Sequence, residues 1–126
     1  MLTRVLFLAL AGAIGTVARF GIQHQAKTRD LSPWIGTIAV NMLGCLAFGI
    51  VWGALDRRGL LETDLRLVVL TGFFGAFTTF SGLIGDSAGL ARHGDGSIAV
   101  LNIALSIVVG VGLMAGGVAL GRATLA

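Results

Sequence analysis

Four apolar runs, separated by short polar segments, occupy most of the chain. The first is Val5–Ile22, interrupted only by Thr16 and Arg19. The polar stretch His24–Ser32 leads to the second, Pro33–Leu55; the charged loop Asp56–Arg66 leads to the third, Leu67–Ile84; and Arg92–Gly96 precedes the fourth, Ser97–Leu120. Each run is long enough to cross the hydrocarbon of a bilayer as a helix. The pattern therefore predicts an all-α membrane protein, with four transmembrane helices in one domain over residues 1–126 (spans 5–22, 33–55, 67–84 and 97–120). Ser32 before Pro33 suits a helix start, because proline at the first helical position gives up no needed N–H. Trp34 and Trp52 are separated by about 27 Å along a helix, which matches two aromatic belts. The third run is unusual, because Gly72, Gly75, Thr78, Thr79, Ser81 and Gly82 fall in its middle. A signal peptide over the first run, cut after Ala9-Leu10-Ala11, is the lesser reading.

Composition agrees with the pattern. The 126 residues are 56% hydrophobic and 12% charged, with a mean hydropathy of +0.94. Soluble domains carry about 25% charge, so this chain lacks the polar skin that a soluble fold needs. Its net charge of +3 is scattered singly between apolar runs. With no basic face to follow phosphates, nucleic acid is not an expected partner; lipid is. Cys45 lies inside an apolar run and is read as a small packing residue.

Charge also bears on orientation. Arg4, Arg57, Arg58, Arg66 and Arg122 fall on one side, and Arg19, Lys27, Arg29 and Arg92 on or near the other. Five against four barely biases insertion, so the expectation is a chain that inserts both ways round and pairs as an antiparallel dimer. Four glycine pairs (Gly49–Gly53, Gly85–Gly89, Gly112–Gly116, Gly117–Gly121) have the spacing that lets helices approach closely in lipid. Gly110-Val-Gly112 has neither the spacing nor the preceding strand of a dinucleotide site.

Enzymatic chemistry finds no support. The sequence has no nucleophile elbow, no HExxH, and no Cys/His pair at metal-ligand spacing. His24 and His93 are loop residues. A small proton-coupled multidrug exporter would need a membrane-embedded carboxylate, and Asp86 is read as too near its span's end. The buried polar groups that remain are neutral donors. Thr37 and Asn41 share one face of the second span, and an amide there is costly unless it is satisfied. Thr78, Thr79 and Ser81 add hydroxyls where the third helix is easily broken, and freed carbonyls at such a break can hold a cation. Phe73, Phe77 and Phe80 share a face, with Phe74 beside them. Such a stripe is either core or a set of ring edges lining an anion path beside Asn41. Amide, hydroxyls and ring edges can replace an anion's water without trapping it.

Three segments now carry a family likeness: Gly12-Ala-Ile-Gly-Thr-Val-Ala-Arg19-Phe20, Gly36-Thr-Ile-Ala-Val-Asn41-Met-Leu-Gly44, and Gly72-Phe-Phe-Gly75-Ala-Phe-Thr78-Thr79-Phe80-Ser81. With them the chain resembles the CrcB/Fluc fluoride channels. The resemblance implies passive export of fluoride across the cell (inner) membrane by an antiparallel, dual-topology dimer with two pores. It implies that Asn41, Phe80, Thr37, Ser81 and Thr79 border the fluoride pore. It also implies a vestibular, more structural role for Arg19, and a sodium ion held at the dimer axis by main-chain carbonyls of Gly75 and Thr78 in a broken third helix. The chain departs from the family pattern at Leu83, where a second ring is typical, and at Val111 and Ala115, where relatives carry hydroxyls. Those departures leave open a homodimer, an obligate heterodimer with a related chain, and a structural partner subunit without a pore of its own.

Overall fold

The computed structural model describes residues 1–124. Helix α1 runs from Leu2 to Thr28 and α2 from Pro33 to Arg57. The third helical region, Asp64–Arg92, starts with the short α3 (Asp64–Arg66), widens to π-helical winding over Leu67–Phe74, and tightens again in α4 (Gly75–Phe77). Thr78 and Thr79 are extended (φ −82°, ψ 158° and φ −147°, ψ 113°) before winding resumes in α5, Phe80–Arg92. The last helix, α6, covers Gly96–Thr124. Among the described residues there are thus four helical regions long and apolar enough to cross a membrane. The third reaches Arg92 rather than ending at Ile84, so Asp86 lies within a helix, with one carboxylate oxygen buried and unpartnered. The neighbours of Asp86 around two cavities include Asp30, Ser32, Pro33 and His93, all at helix ends or in connecting segments.

Helix α6 lies along α2, and glycine explains why. A Cβ on Gly49 would overlap the carbonyl of Met114, and one on Gly53 that of Val118. In return, Gly117 faces the carbonyl of Leu46 and Gly121 that of Ile50. Two of the four glycine pairs therefore mesh, letting backbone meet backbone where lipid offers no hydrophobic drive. The other two, Gly85–Gly89 and Gly112–Gly116, have nothing within 4 Å of an added Cβ.

Helix α1 packs on the π-helical segment through Gly15, its one buried residue, where a Cβ would overlap Phe73 O. The core is Val40, Leu55, Leu70, Phe74 and Phe77. Phe73 stacks on Phe77 (centroids 5.7 Å, planes at 9°) and meets Phe74 edge-on. Phe80 does not continue this stripe. The two extended residues before it turn it out of register, and it is 75% exposed.

The end that carries both described termini is fastened by polar contacts. Arg122 binds Asp56 (2.5 and 2.8 Å), Arg57 donates to the carbonyl of Arg122, and Arg4 pairs with Asp64 at 2.7 Å. Arg66 lies over the Trp52 ring, 5.5 Å from its centroid.

Candidate functional site

The site grows from the interruption at Thr78–Thr79. A helix that stops mid-span leaves N–H and C=O groups without partners in a medium that offers none. Here Asn41 on α2 supplies them. Its Nδ2 donates to Thr79 O (3.0 Å), and its Oδ1 accepts from Thr79 N–H (2.8 Å). One amide side chain thus takes both backbone groups of Thr79 and keeps one N–H of its own to spare.

Thr79 then caps α5. Its Oγ1 accepts from Gly82 N–H at 2.9 Å and lies 3.2 Å from Ser81 Oγ. A Thr79→Val variant keeps the shape but removes this cap, and is expected to cost about 1 kcal/mol. Unfolding of the purified protein in detergent checks this, and an unchanged midpoint would deny the cap its role. Thr78 turns the other way, with both N–H and Oγ1 donating to Phe74 O (3.0 and 2.9 Å). Gly44 makes room there, since its missing Cβ is the space taken by Thr78 Cγ2.

Two carbonyls are left over. The amide that a continuous helix would aim at Gly75 O belongs to Thr79, which is spent on Asn41; the one for Thr78 O belongs to Gly82, which is spent on the cap. Among the described residues neither carbonyl accepts a hydrogen bond. Gly75 is also exposed, with nothing within 4 Å of an added Cβ. Carbonyl oxygens without a donor are hard ligands of the kind that suits an alkali cation.

Cavities flank the Asn41–Thr79 pair. One, of about 340 Å³, is bordered by Asn41, Thr79, Phe80, Leu83, Ser106 and others, with no charged side chain in its lining. Ser106 is 9% exposed, and its hydroxyl has no partner. The other, of about 840 Å³, is bordered by Thr37, Phe20, Gln23, Lys27 and Asp86 among others. Thr37 is 3% exposed and accepts from Gln23 Nε2 at 3.3 Å. Its methyl carbon stands 3.5 Å from where a Cβ on Gly82 would lie. Thr37 and Asn41 therefore contact the same α4–α5 junction from cavities on either side. Ser81 is exposed beside it, and Arg19 is half-buried on α1.

Val111, 66% exposed, and Ala115, also exposed, border a neighbouring apolar hollow and not the Asn41 cavity. The α6 residues that border the Asn41 cavity are Ser106, Ile107 and Met114, and Gly110 lies against Cys45 and Met42 of α2. One turn away, the buried Asn102 donates to Ser87 Oγ (3.0 Å), leaving its own Oδ1 unpartnered. The i, i+4 spacing of Asn102 and Ser106 was the available signal for this face.

Comparison with known proteins points one way. The family described as CrcB-like protein, Camphor Resistance (CrcB), matches residues 6–118. A protein of Solidesulfovibrio magneticus named "Fluoride-specific ion channel FluC" is 46% identical over 125 residues, covering 97% of this chain and 98% of its own. Proteins of the same name from Nitratidesulfovibrio vulgaris (strain Miyazaki F) and Allorhizobium ampelinum are 42% and 38% identical, each across 94% of this chain and 97% and 95% of their own.

Proposed function

The chain belongs to the CrcB-like family, and from that premise we propose that it is a fluoride-specific ion channel, a passive transporter and not an enzyme. The single observation that carries the reading beyond family membership is the reciprocal Asn41–Thr79 pair. It holds unwound backbone beside a cavity with no charged side chain in its lining.

Fluoride keeps its water tightly, so a path must offer replacement donors without a fixed charge that would hold it. The spare N–H of Asn41, the hydroxyls of Ser106 and Ser81, and the edge of the Phe80 ring are of that kind. Thr37 borders the approach from the larger cavity, and Thr79 stands with Asn41 in the lining of the smaller one. The ring positive at its edge and negative on its face distinguishes an anion from a cation. Leu83 is buried at 5% exposure in the same lining and offers volume without a ring edge. Arg19 fits a vestibular position, where its charge raises the local concentration of anions.

The finer features belong to the same reading. A broken third helix whose Gly75 and Thr78 carbonyls hold a sodium ion is supported by the two unpaired oxygens, with the ion fastening the open face. Two copies meeting antiparallel at that face, inserted in opposite orientations in the inner membrane, give the exposed Phe80 and the two unmeshed glycine pairs a partner. A homodimer is the simpler assembly, because the Asn41, Thr79, Ser106 and Phe80 set lies within one chain.

The test is fluoride efflux from potassium-fluoride-loaded liposomes with valinomycin, using this chain alone. Rapid fluoride release with chloride retained is expected. A folded protein that releases no fluoride would overturn the reading.

A further inference from the structure

Gln23 belongs to no motif, and the channel reading gives it no task. It lies on α1 one turn before Lys27, half-buried, and borders the larger cavity together with Thr37. Its Nε2 donates to Thr37 Oγ1 at 3.3 Å, among the described residues the one side-chain hydrogen bond between α1 and α2. Gly36, beside Thr37, permits the approach: a Cβ built on it would stand 3.3 Å from Gln23 Cα and 3.2 Å from Ala26 Cβ. Thr37 is thereby held from both sides. Its methyl stands 3.5 Å from a Cβ built on Gly82, at the start of α5, and its hydroxyl meets Gln23 in the cavity wall.

The polarity of that bond matters. Thr28, Thr63, Thr78 and Thr124 each donate the hydroxyl hydrogen to a carbonyl three or four positions back. Among the described residues Thr37 makes no such bond; its oxygen accepts and its hydrogen is unspent. An amide N–H can only donate, so it fixes Oγ1 as the acceptor and turns the hydroxyl hydrogen elsewhere. We propose that Gln23 is a positioning residue for fluoride: its amide holds the Thr37 oxygen as acceptor, which keeps the hydroxyl hydrogen available to an anion in the larger cavity. The inference rests on the channel reading, and Gln23 acts through Thr37 without touching the ion. Lys27 is the cation of that wall, and Asp30 and Asp86 are its carboxylates. Charge alone therefore does not favour an anion there, and an oriented hydroxyl has to.

The experiment measures fluoride release from valinomycin-treated liposomes by the full chain, with rates normalised to folded protein. Gln23→Leu removes the donor at similar volume. Gln23→Glu keeps the shape and the link, but a carboxylate only accepts, so the Thr37 hydrogen turns to it and is spent. Each change is made in wild type and in Thr37→Val, which lacks the hydroxyl. In wild type both should slow release roughly 2- to 10-fold, the worth of one hydrogen bond. In Thr37→Val, Gln23→Leu should slow it no further, because residues that act as a pair do not add. The charge brought by Gln23→Glu acts in either background, so that change should cost more in wild type than in Thr37→Val. A mere strut between α1 and α2 would behave differently, keeping its flux in Gln23→Glu and losing only thermal stability in Gln23→Leu. Wild-type release by Gln23→Glu therefore overturns the proposal, as does equal slowing by Gln23→Leu in both backgrounds. Should Gln23→Leu fail to fold, the two Gln23→Glu measurements decide alone, and equal slowing in both backgrounds overturns the proposal there too. No release by folded wild type would overturn the channel reading and this proposal together; wild-type release left undiminished by Gln23→Leu would overturn this proposal alone.

Discussion

Asn41→Ala should abolish fluoride release and loosen the fold together. The alanine leaves Thr79 N–H without a partner and Thr79 O with only the long bond from Leu83 N–H (3.5 Å), at about 1–3 kcal/mol for an orphaned group. A loss of about 2 kcal/mol reduces the population of the native junction by roughly 30-fold. Asn41→Asp separates the two roles. The carboxylate still accepts from Thr79 N–H but cannot donate to Thr79 O, and it adds a negative charge to a lining that has none. We expect Asn41→Asp to unfold closer to wild type than Asn41→Ala and to release fluoride no faster. Efflux and thermal unfolding in detergent, run on both variants, check this. Wild-type flux through Asn41→Ala would show that the amide serves neither the junction nor the path.

Gly53→Val should be the most damaging change away from the site. Any Cβ at Gly53 overlaps the backbone of Val118, and backbone yields less readily than a side-chain tip. Overpacking of this kind costs about 1–3 kcal/mol, occasionally more, and the upper value corresponds to a midpoint lowered by roughly 10 °C. Gly112→Ala is the control, having open space around it, and its midpoint should stay within about 2 °C of wild type. If the two variants unfold alike, the α2–α6 glycine seam is not what joins those helices.

The contrast between those glycines marks where the sequence is legible. Long apolar runs announce four helices because backbone in lipid has no other stable arrangement, and the motif residues announce the family. Four glycine pairs of identical spacing, however, read alike; only the packed chain distinguishes Gly49–Gly53 and Gly117–Gly121, which mesh, from the two pairs that face outward. The register of α6 was hidden for a related reason. The helix is apolar around its whole circumference, so no stripe marks its inner face, and Val111 and Ala115 were as plausible there as Ser106 and Gly110. Asn41 was recognisable as important, but its partner lies 38 positions away and is main chain, which leaves no trace in side-chain pattern. The Phe73–Phe77–Phe80 stripe was counted at helical spacing across the very residues expected to break the helix, and the extended Thr78–Thr79 pair interrupts that periodicity.

The distance between Asn41 and Thr79 also has a meaning for biosynthesis. A ribosome delivers α2 before it delivers Thr79, so the amide that will receive the unwound backbone is made first. The third segment, met alone by the insertion machinery, is an apolar stretch with no charge between Leu67 and Gly85, free to enter the bilayer as an ordinary helix. The interruption then becomes favourable only once a finished neighbour is beside it, and exposed polar backbone is never asked to cross the membrane unaccompanied.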